Sequence, residues 1–435
     1  MNLNVYRIAP VATVMLLLSL AISGNVHAAT YDVTEAPFNA TGDGVTNDTT
    51  AINLALVTAY NDGGGTVYLP AGTYVVDRLD IGSNTEIVGD RAGATVLKRA
   101  TSGDQAMLVA DATGIVPGAT GIIVSKIAFD GNKAEAVGNP SSLSFVGTDN
   151  FQVFDCVLYA AAGNALTCNN ASNGTLRNVD CSDSTASAIY LLNCLHMDLA
   201  GCFARSSGTH GYEFKTCDDV YVVAAHASEN SQSGFYMGSC TNMLLEGCLA
   251  QSNTSEGFQT YATSVINEYI SFTGCVARLN DTGFSITDTK NFTLAACMAN
   301  ENQIGIALIK NIRKCRKFTL SGCHVVDNQK EGITLQGAMI GSITGSLIKN
   351  NSQAQANTYD GIHMADGGGH VCKKVRISGC SITDSQTLPT QRRAITTTGG
   401  SFGNTITYND VAGNSTTPAI QLVGTDNIET LNISL

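Results

Sequence analysis

Hydrophobic and polar residues alternate along this chain in short runs that recur about every 23 residues. Successive units open at positions 165, 188, 211, 234 and 257 with the strings ALTCNNAS, AIYLLNC, GYEFKTC, GFYMGSC and GFQTYAT. Within a unit the apolar side chains are spaced by two, as in Tyr212/Phe214 and Phe235/Met237, and this spacing is typical of strands rather than helices. A fixed period of this length predicts a solenoid in which each unit stacks on the next.

The later units vary in length but keep the opening strand, as in GFSITDT at 283, GIALIKN at 305, GITLQGA at 332 and GIHMADG at 361. Insertions of variable length belong in loops outside the stacked strands. Short strands separated by Asn, Gly, Ser and Asp predict a parallel β-helix, since the consensus of leucine-rich repeats is absent. We expect one all-β domain of roughly ten coils, because a solenoid grows in one dimension.

The composition agrees with a long buried core joined by tight turns, since the chain has 44 Gly, no Trp and only 14% charged residues. Three of its 14 cysteines, Cys194, Cys217 and Cys240, are spaced by 23. Eight more end the second apolar run of a unit, namely Cys156, Cys181, Cys202, Cys248, Cys275, Cys297, Cys323 and Cys380. We expect both sets to form internal columns of small apolar side chains, with occasional disulfides between neighbours left open. No CxxC or paired-His spacing accompanies them, so no metal site is expected.

The first 28 residues have the pattern of a secretory signal. Arg7 precedes an apolar run from Val11 to Ile22, and small residues close the segment before Ala29. This run is shorter than the roughly 20 apolar residues that span a membrane. We therefore expect cleavage after Ala28, export to the periplasm or the extracellular space, and no membrane attachment of the mature chain.

The segment after the signal, YDVTEAPFNATGDGVTNDTTAINLALVTAYNDGGGTVYLPAGTYVV, resembles the N-terminal part of the pectate-lyase-like right-handed β-helix proteins. That superfamily includes polygalacturonases, mannuronan C-5-epimerases and phage tailspikes. Asp48 or Thr49 is placed to cap a helix that would cover the open end of the rod. The apolar residues that recur at helical spacing are Ile52, Ala55, Leu56 and Ala59. The resemblance implies a single-domain right-handed parallel β-helix, with the N-terminal cap and first coils over residues 29–100 and the main β-helix over 101–435.

A likeness to the mannuronan C-5-epimerase catalytic module runs from Tyr31 to about residue 300, where IAFDGN at 127–132 resembles an LTLDGN stretch. In place of the Asp-Pro-His-Glu catalytic string of those enzymes, this chain has Thr167-Cys168-Asn169-Asn170. The resemblance implies a polysaccharide ligand and no required cofactor. Ca²⁺ often assists this superfamily, and the oxygen donors here would be Asp130, Asp218 and Asp219. Tailspike relatives form trimers, so an oligomer remains open.

Stacked coils predict a row of outward side chains on one sheet, because residues on either side of each outward position point into the core. The row consists of Thr167, Tyr190, Glu213, Tyr236, Gln259, Ser285, Ala307, Thr334 and His363. The candidate catalytic residues are His210, Glu213, Lys215 and Tyr236. The candidate substrate-binding residues are Tyr190, Gln259, Tyr261, Lys310 and Arg313. His226 stands where other coils carry Cys, so it is interpreted as a core residue.

These residue types suit chemistry on a uronic acid, with aromatic rings as platforms for sugar rings. A lyase needs a cation for the sugar carboxylate, a base for the C5 proton and an acid for the leaving oxygen. Lys215, His210 and Tyr236 would take those roles in that order, and Glu213 would orient Lys215 or act as acid or base. A hydrolase instead needs two neighbouring carboxylates, and Glu213 has no outward acidic partner on the adjoining strands, which leaves Asp218 or Asp219 in the following turn as the partner.

The formal net charge of −12 does not suit nucleic acid. Basic residues nevertheless crowd into two segments, residues 310–317 and 373–393, along which an acidic polysaccharide could lie. The sequence favours an exported lyase-like or epimerase-like enzyme acting on such a polymer. Two alternatives stay open: a non-catalytic glycan-binding or surface-structural rod, and a glycoside hydrolase of the same fold.

Overall fold

A computed structural model of the protein describes residues 29–433 apart from 102, 112–117, 263 and 368. Over this range the chain winds into a right-handed parallel β-helix of about 15 turns with three parallel sheets as its sides. The predicted fold class is confirmed, but the turns outnumber the ten expected. The repeat of constant length starts only at residue 165, whereas the coils before it have unequal lengths and therefore show no clear period. A rod of this many coils is about 70 Å long. The proposed signal, residues 1–28, lies outside the described residues.

Each sheet collects one strand from successive coils. The first sheet has 16 strands: Thr30–Asp32, Gly65–Leu69, Thr85–Gly89, Thr120–Ser125, Asp149–Phe154, Ser172–Arg177, Leu195–Ala200, Asp218–Val223, Thr241–Glu246, Asn267–Thr273, Thr289–Ala295, Arg316–Ser321, Met339–Thr344, Lys373–Ser378, Thr405–Thr407 and Ile428–Thr430. The second has 14: Asp43–Asn47, Gly72–Val76, Thr95–Arg99, Ala128–Asp130, Val157–Tyr159, Asp180–Ser182, Phe203–Arg205, His226–Ser228, Leu249–Gln251, Val276–Arg278, Met298–Asn300, His324–Val326, Leu347–Lys349 and Ser381–Thr383. The third also has 14: Leu79–Asp80, Leu108–Asp111, Leu143–Val146, Leu166–Asn169, Ile189–Leu192, Tyr212–Lys215, Phe235–Gly238, Glu256–Tyr261, Thr282–Thr287, Ile304–Ile309, Ile333–Gln336, Ile362–Ala365, Ile395–Thr397 and Ile420–Gln421.

The interior is one continuous apolar core that runs from Val33 to Ile420. All 14 cysteines are buried and free, as the predicted columns require. Most of the thiols donate to carbonyl oxygens of the preceding coil, as Cys217 Sγ does to Leu191 O at 3.4 Å. Burial raises the pKa of the Cys202 thiol to about 11, so it behaves as a small apolar group. The proposed division of the chain at residue 100 stays a prediction.

In the middle of the third sheet, the turn before each strand is built from Gly and Asn. A Cβ on Gly234 would lie 2.8 Å from the carbonyl oxygen of Gly257 in the next coil, so the coils approach too closely there for any other residue. Beside this glycine column, buried asparagines donate from one coil to the next at 2.8–3.2 Å. This ladder consists of Asn230, Asn253, Asn280, Asn302, Asn328 and Asn351.

The predicted capping helix spans Thr49–Asn61 and covers the N-terminal end of the core with the four apolar residues named above, all fully buried. Asp48 occupies the N-cap position, but its carboxylate does not cap the helix. It accepts instead from the backbone N–H groups of Thr41 at 2.7 Å and Gly42 at 3.2 Å, which fixes the preceding loop. Among the described residues, every helix is too short or too polar to cross a membrane.

An aromatic stack lies inside the third sheet, directly beneath the middle of the outward row. The rings of Tyr212, Phe235, Phe258 and Phe284 follow one another with centroids 4.6, 4.8 and 4.8 Å apart and planes within 7° of parallel. All four side chains are fully buried. Since packed cores resist deformation, this stack holds the outer face of the third sheet in a fixed geometry.

Candidate functional site

The predicted outward row does lie in register on the third sheet. Thr167 pairs with Tyr190, Tyr190 with Glu213, Glu213 with Tyr236, and Tyr236 with Gln259. The row continues coil by coil through Ser285, Ala307, Thr334 and His363. Lys215 and Tyr261 both pair with Gly238 in a parallel second row. The register of every predicted row member is therefore confirmed.

Glu213 and Lys215 form an ion pair at the centre of this row. Lys215 Nζ lies 2.5 Å from Glu213 Oε1, and the hydroxyl of Ser187 donates to Glu213 Oε2 at 2.5 Å. Ser187 Oγ in turn lies 2.7 Å from Thr209 Oγ1. Both carboxylate oxygens of Glu213 are thus engaged, and the residue is only 9% exposed. This arrangement holds Lys215 in one position rather than offering Glu213 to a ligand.

Lys215 is the exposed cation of the cluster, and its ammonium lies 5.4 Å from the centroid of the Tyr190 ring. Partial burial acts to lower the pKa of Lys215, but the hydrogen bond and the charge of Glu213 outweigh it and the pKa is raised. The ammonium is therefore charged at neutral pH. Tyr190, partly exposed beside it, provides an aromatic face next to a positive charge.

His210 lies in the turn before the strand of Glu213 and stacks on Tyr236, with ring centroids 4.7 Å apart and planes 26° from parallel. The backbone N–H of Ser233 donates to His210 Nδ1 at 3.2 Å, which places the proton of the neutral ring on Nε2. Burial lowers the pKa of His210; the charge of Lys215 adds to this effect and that of Glu213 opposes it. His210 is therefore a neutral hydrogen-bond donor at physiological pH.

Tyr236 stacks on His210, and its ring also extends over the backbone of Gly238. A Cβ at Gly238 would lie 2.9 Å from Tyr236 Cε1, so the glycine makes room for the ring. Burial raises the pKa of Tyr236, although the Lys215 charge opposes this. The phenol therefore keeps its proton at neutral pH and can donate it. Tyr190, His210, Glu213, Lys215 and Tyr236 are named the central cluster below.

Glu256 is a candidate that the sequence reasoning missed. Ser233 Oγ lies 3.0 Å from Glu256 Oε2 and 2.8 Å from Gln259 Oε1, which joins Glu256 to the outward row. Burial raises the pKa of Glu256, while the hydrogen bond from Ser233 lowers it. A signal was available in the residue that precedes each unit, because this position recurs every 23 residues beside the row, at Ser187, His210, Ser233 and Glu256.

Lys310 and Arg313 lie four coils further along the rod, roughly 20 Å from Glu213, so they do not join the central cluster. Their loop is fixed by the buried carboxylate of Asp288, which accepts the backbone N–H groups of Asn311, Ile312 and Arg313 at 2.8–2.9 Å. Asn311 Nδ2 also donates to Tyr261 Oη at 3.0 Å. The loop therefore continues the face that carries Tyr261.

Unpaired cations border this loop. A surface cleft of about 380 Å³ is lined by Ile266, Arg313, Lys314, Arg316, Met339 and Ile340. In the described parts of the chain, the basic residues at 310–317 and 373–376 form no salt bridges. This strip is locally positive on a protein of net charge −12.

The interpretation of His226 as a core residue was wrong. His226 is exposed on the second sheet, where its ring meets the edge of Phe203 with centroids 4.9 Å apart. The preceding residue, Ala225, takes the buried position. Because successive strand residues face opposite sides, a register error of one residue turns a side chain from the core to solvent.

The carboxylates that the resemblance offered to Ca²⁺ have partners within the protein. Asp218 accepts from Thr241 and Asn242, Asp219 contacts His196, and Asp130 accepts the backbone N–H of Asn132. Over the residues that the structure covers, no group of three or more His, Cys, Asp or Glu side chains is arranged to hold a metal ion.

Comparisons with known proteins cover the chain in overlapping segments. The family described as "Rhamnogalacturonase A/epimerase, pectate lyase-like" matches residues 33–191. The family "Right handed beta helix region" matches residues 118–269 and 164–311. The family "Periplasmic copper-binding protein (NosD)" matches residues 265–428, although the described side chains there do not form a cluster suited to a metal.

Curated relatives match a shorter part of the chain. Mannuronan C5-epimerase AlgE2 of Azotobacter vinelandii is 44% identical over 114 residues, which cover 23% of this chain and 11% of the relative. Alginate lyase 7 of the same organism is 40% identical over 114 residues, which cover 23% of this chain and 13% of the relative. The matched segment thus spans only about a tenth of the length of these relatives.

Solved structures share the fold over most of the chain. The A-module of Azotobacter vinelandii mannuronan C-5 epimerase AlgE4 superposes with a TM-score of 0.54 at 20% identity, covering 92% of this chain and all of the module. The N-terminal fragment of bacteriophage phi29 gene product 12 superposes with a TM-score of 0.69 at 14% identity. This match covers 92% of this chain and 71% of the fragment. Bacteriophage CBA120 tailspike protein 3 superposes with a TM-score of 0.59 at 12% identity. This match covers 93% of this chain and 61% of the tailspike chain. The family models and the curated relatives confirm the resemblance to pectate-lyase-like β-helix proteins and mannuronan C-5-epimerases, and the solved structures confirm the fold.

Proposed function

We propose that this protein, a right-handed β-helix of the pectate-lyase-like kind, is an exported enzyme that removes the C5 proton from uronate units of an acidic polysaccharide. The products would be those of a lyase or an epimerase. The observation that carries this proposal is the central cluster, in which an ammonium, a neutral imidazole and a phenol lie together on the outer face of the third sheet beside aromatic rings. Local identity to mannuronan epimerases and an alginate lyase supports the same substrate class.

Lys215 is assigned to the carboxylate of the substrate. Its raised pKa keeps it charged, and its ion pair with Glu213 fixes it before a ligand arrives. When the C5 proton leaves, negative charge develops on the neighbouring sugar carboxylate, and a preorganised cation stabilises that charge. His210 donates from Nε2 to the same region. Glu213 is a positioning residue in this scheme, since both of its oxygens are occupied.

Proton transfer is assigned to Tyr236 and Glu256. The Tyr236 phenol, protonated at neutral pH, serves as the acid for the leaving glycosidic oxygen. The sequence alone assigned the base to His210, but the Ser233 N–H occupies its only free lone pair. Glu256 lies one coil beyond Tyr236, and its raised pKa makes it a stronger base than an ordinary carboxylate.

The test uses polymannuronate and polygalacturonate with three readouts. Ultraviolet absorbance reports unsaturated ends from a lyase, deuterium uptake at C5 from heavy water reports an epimerase, and reducing ends without absorbance report a hydrolase. Tyr236→Phe, Glu256→Gln and Lys215→Met should each lower the rate by roughly 10²–10⁴-fold. Tyr221→Phe is the matched control, because Tyr221 is exposed on the first sheet and donates to Glu246 at 2.7 Å.

A non-catalytic glycan-binding rod is the second candidate. It is favoured by the engagement of both oxygens of Glu213 and by Thr167-Cys168-Asn169-Asn170 in place of the epimerase string. Binding of the polymers by the native protein with none of the three signals would establish this candidate. Saturated reducing ends alone would replace the lyase with a hydrolase, despite the lack of an acidic register partner for Glu213.

Export is proposed from the signal pattern in residues 1–28. Mass spectrometry of protein recovered outside the cytoplasm should find a chain that begins at Ala29. Recovery of the uncleaved chain with the cytoplasm would contradict export while leaving the chemistry above untouched.

A further inference from the structure

A second polar cluster lies on the same outward row, further along the rod. Thr334, His363 and Thr396 are direct neighbours in the ladder of the third sheet. The Thr334 and Thr396 side chains are 7% and 2% exposed, and neither hydroxyl has a hydrogen-bond partner in the described structure. A buried hydroxyl without a partner costs free energy, so a pair of them on either side of one histidine points to a missing ligand.

His363 is held between residues of two other coils. Its Nδ1 lies 3.8 Å from Glu331 Oε1, and its Nε2 lies 3.4 Å from Thr398 Oγ1. The ring therefore has an acceptor on one side and a hydroxyl on the other. Its side chain remains partly exposed, at 23%, so a ligand lying on the sheet can reach it.

Arg392 borders this group, since its pKa is raised by the hydrogen bond to Asp360 and also by the nearby charge of Glu331. Its guanidinium donates two hydrogen bonds to the buried carboxylate of Asp360, at 2.8 and 2.6 Å. Asp360 is 1% exposed, whereas a third of the Arg392 side chain is open to solvent. Such a bidentate pair fixes the guanidinium plane, and its remaining N–H groups point away from Asp360.

We propose that Glu331, Thr334, His363, Arg392 and Thr396, named the distal cluster, form a saccharide-binding subsite that recognises ring hydroxyls. Hydroxyl, carboxylate, imidazole and guanidinium groups together supply both donors and acceptors, which is what the hydroxyls of a sugar require. The two carboxylates of Glu331 and Asp360 outnumber the single positive charge of Arg392, so the subsite does not depend on a sugar carboxylate. This separates it from the Lys215 site.

The distal cluster extends the proposed groove and rests on the proposed function for the path of the polymer. Six coil steps separate Glu213 from His363, which is about 29 Å. Between the two clusters the row passes Ser285 and Ala307, which are only 4% and 3% exposed, so a polymer that joins the clusters runs over the side chains that cover them. A polysaccharide long enough to reach both clusters would be held at two points.

The experiment compares Thr334→Val/Thr396→Val with the native full-length chain by calorimetric titration. The probes are mannuronate oligomers long enough to cover both clusters and the same oligomers after chemical reduction of their carboxyl groups. Valine keeps the shape of threonine and removes only the hydroxyl. The double variant should bind both probes about tenfold more weakly, because two hydrogen bonds to the sugar are lost. Thr293→Val/Thr319→Val on the first sheet is the matched control and should bind like the native protein.

The outcomes separate this inference from the proposed function. Lys215→Met should weaken binding of the charged oligomer only, whereas the double threonine variant should weaken both. Unchanged affinity in the folded double variant would overturn the distal subsite and leave the central cluster intact. If the native protein shows no chemistry but the double variant binds the probes more weakly, the subsite is supported and the proposed enzymatic function is refuted. Native protein that binds neither probe would overturn both.

Discussion

Single buried polar atoms set part of the stability of this rod, and Tyr212 is the clearest case. It begins an aromatic stack whose other members are phenylalanines, and its hydroxyl is fully buried without a hydrogen-bond partner in the described structure. We predict that Tyr212→Phe raises the free energy of unfolding by about 1–3 kcal/mol, because the desolvation cost of an unpaired hydroxyl disappears. Denaturant unfolding measures the change.

The reverse substitution in the same stack is the control. Phe235→Tyr adds a hydroxyl at an equally buried position and should lower the stability by a similar amount. If Tyr212→Phe destabilises the protein, the hydroxyl has a partner that the geometry does not reveal, and the reasoning about the stack is wrong.

The ionisation of His210 depends on two opposite charges beside it. Glu213 acts to raise the pKa of His210 and Lys215 acts to lower it, on top of the lowering by burial. We predict that Lys215→Met raises the pKa of His210 and that Glu213→Gln lowers it further. Titration of the imidazole signals by NMR distinguishes these directions, and equal shifts of one sign in both variants would contradict the charge assignment.

The same shift has a consequence for stability. The pKa of His210 in the folded protein is below its unfolded value, so folding favours the neutral ring. The contribution of the neutral His210 ring to the free energy of unfolding is fully present above the unfolded pKa of about 6.5. It is lost as the pH falls through the pKa of the folded protein. In Lys215→Met this loss should therefore be smaller than in the native protein.

At the scale of elements, the asparagine ladder joins the coils at the turn between the second and third sheets. Asn280 Nδ2 donates to Ala250 O and to Asn302 Oδ1, and Asn280 Oδ1 accepts the backbone N–H of Asn253. We predict that Asn280→Ala lowers the free energy of unfolding by about 2–4 kcal/mol, because buried groups in both neighbouring coils lose their partners.

Asn139→Ala is the control for this substitution, since Asn139 is exposed and its side chain has no hydrogen bond in the described structure. It should unfold like the native protein. A loss of less than 0.5 kcal/mol in Asn280→Ala, as is usual for surface positions, would mean that the ladder does not stabilise the stack.

The strand register of the site was predictable because period and alternation fix it. A constant repeat with apolar residues at every second position places Tyr190, Glu213 and Tyr236 side by side without further information. The loops were not predictable in this way. The contact between Asn311 and Tyr261 joins residues 50 positions apart through coils of unequal length, so no period indicates it.

The errors have equally local causes. His226 was misplaced because one residue of register decides between core and solvent. Glu256 was overlooked because it is the first residue of its strand, and the alternation of buried and outward residues begins only at Phe258. The roles of side chains depend on hydrogen bonds such as the one from Ser233 N–H to His210, and these follow from coordinates rather than from residue order.

At the scale of the molecule, the charges are distributed unevenly. The protein carries a formal net charge of −12, yet the cations around the 310–317 loop have no acidic partners within the described residues. The overall field repels a polyanion, while this strip attracts one at short range. Since salt reduces the range of exposed charges from about 10 Å at 0.1 M to about 3 Å at 1 M, ionic strength separates the two contributions.

We predict that Arg313→Gln/Lys314→Gln/Arg316→Gln weakens polymannuronate binding about tenfold at low salt and has little effect at high salt. The control, Arg177→Gln/Arg205→Gln/Arg278→Gln, removes three cations from the first and second sheets. Both variants change the formal net charge from −12 to −15, because each loses three positive charges. Any difference between them in calorimetric titration is therefore a property of the strip. Equal weakening in both would mean that the polymer responds to net charge alone and does not follow the 310–317 loop.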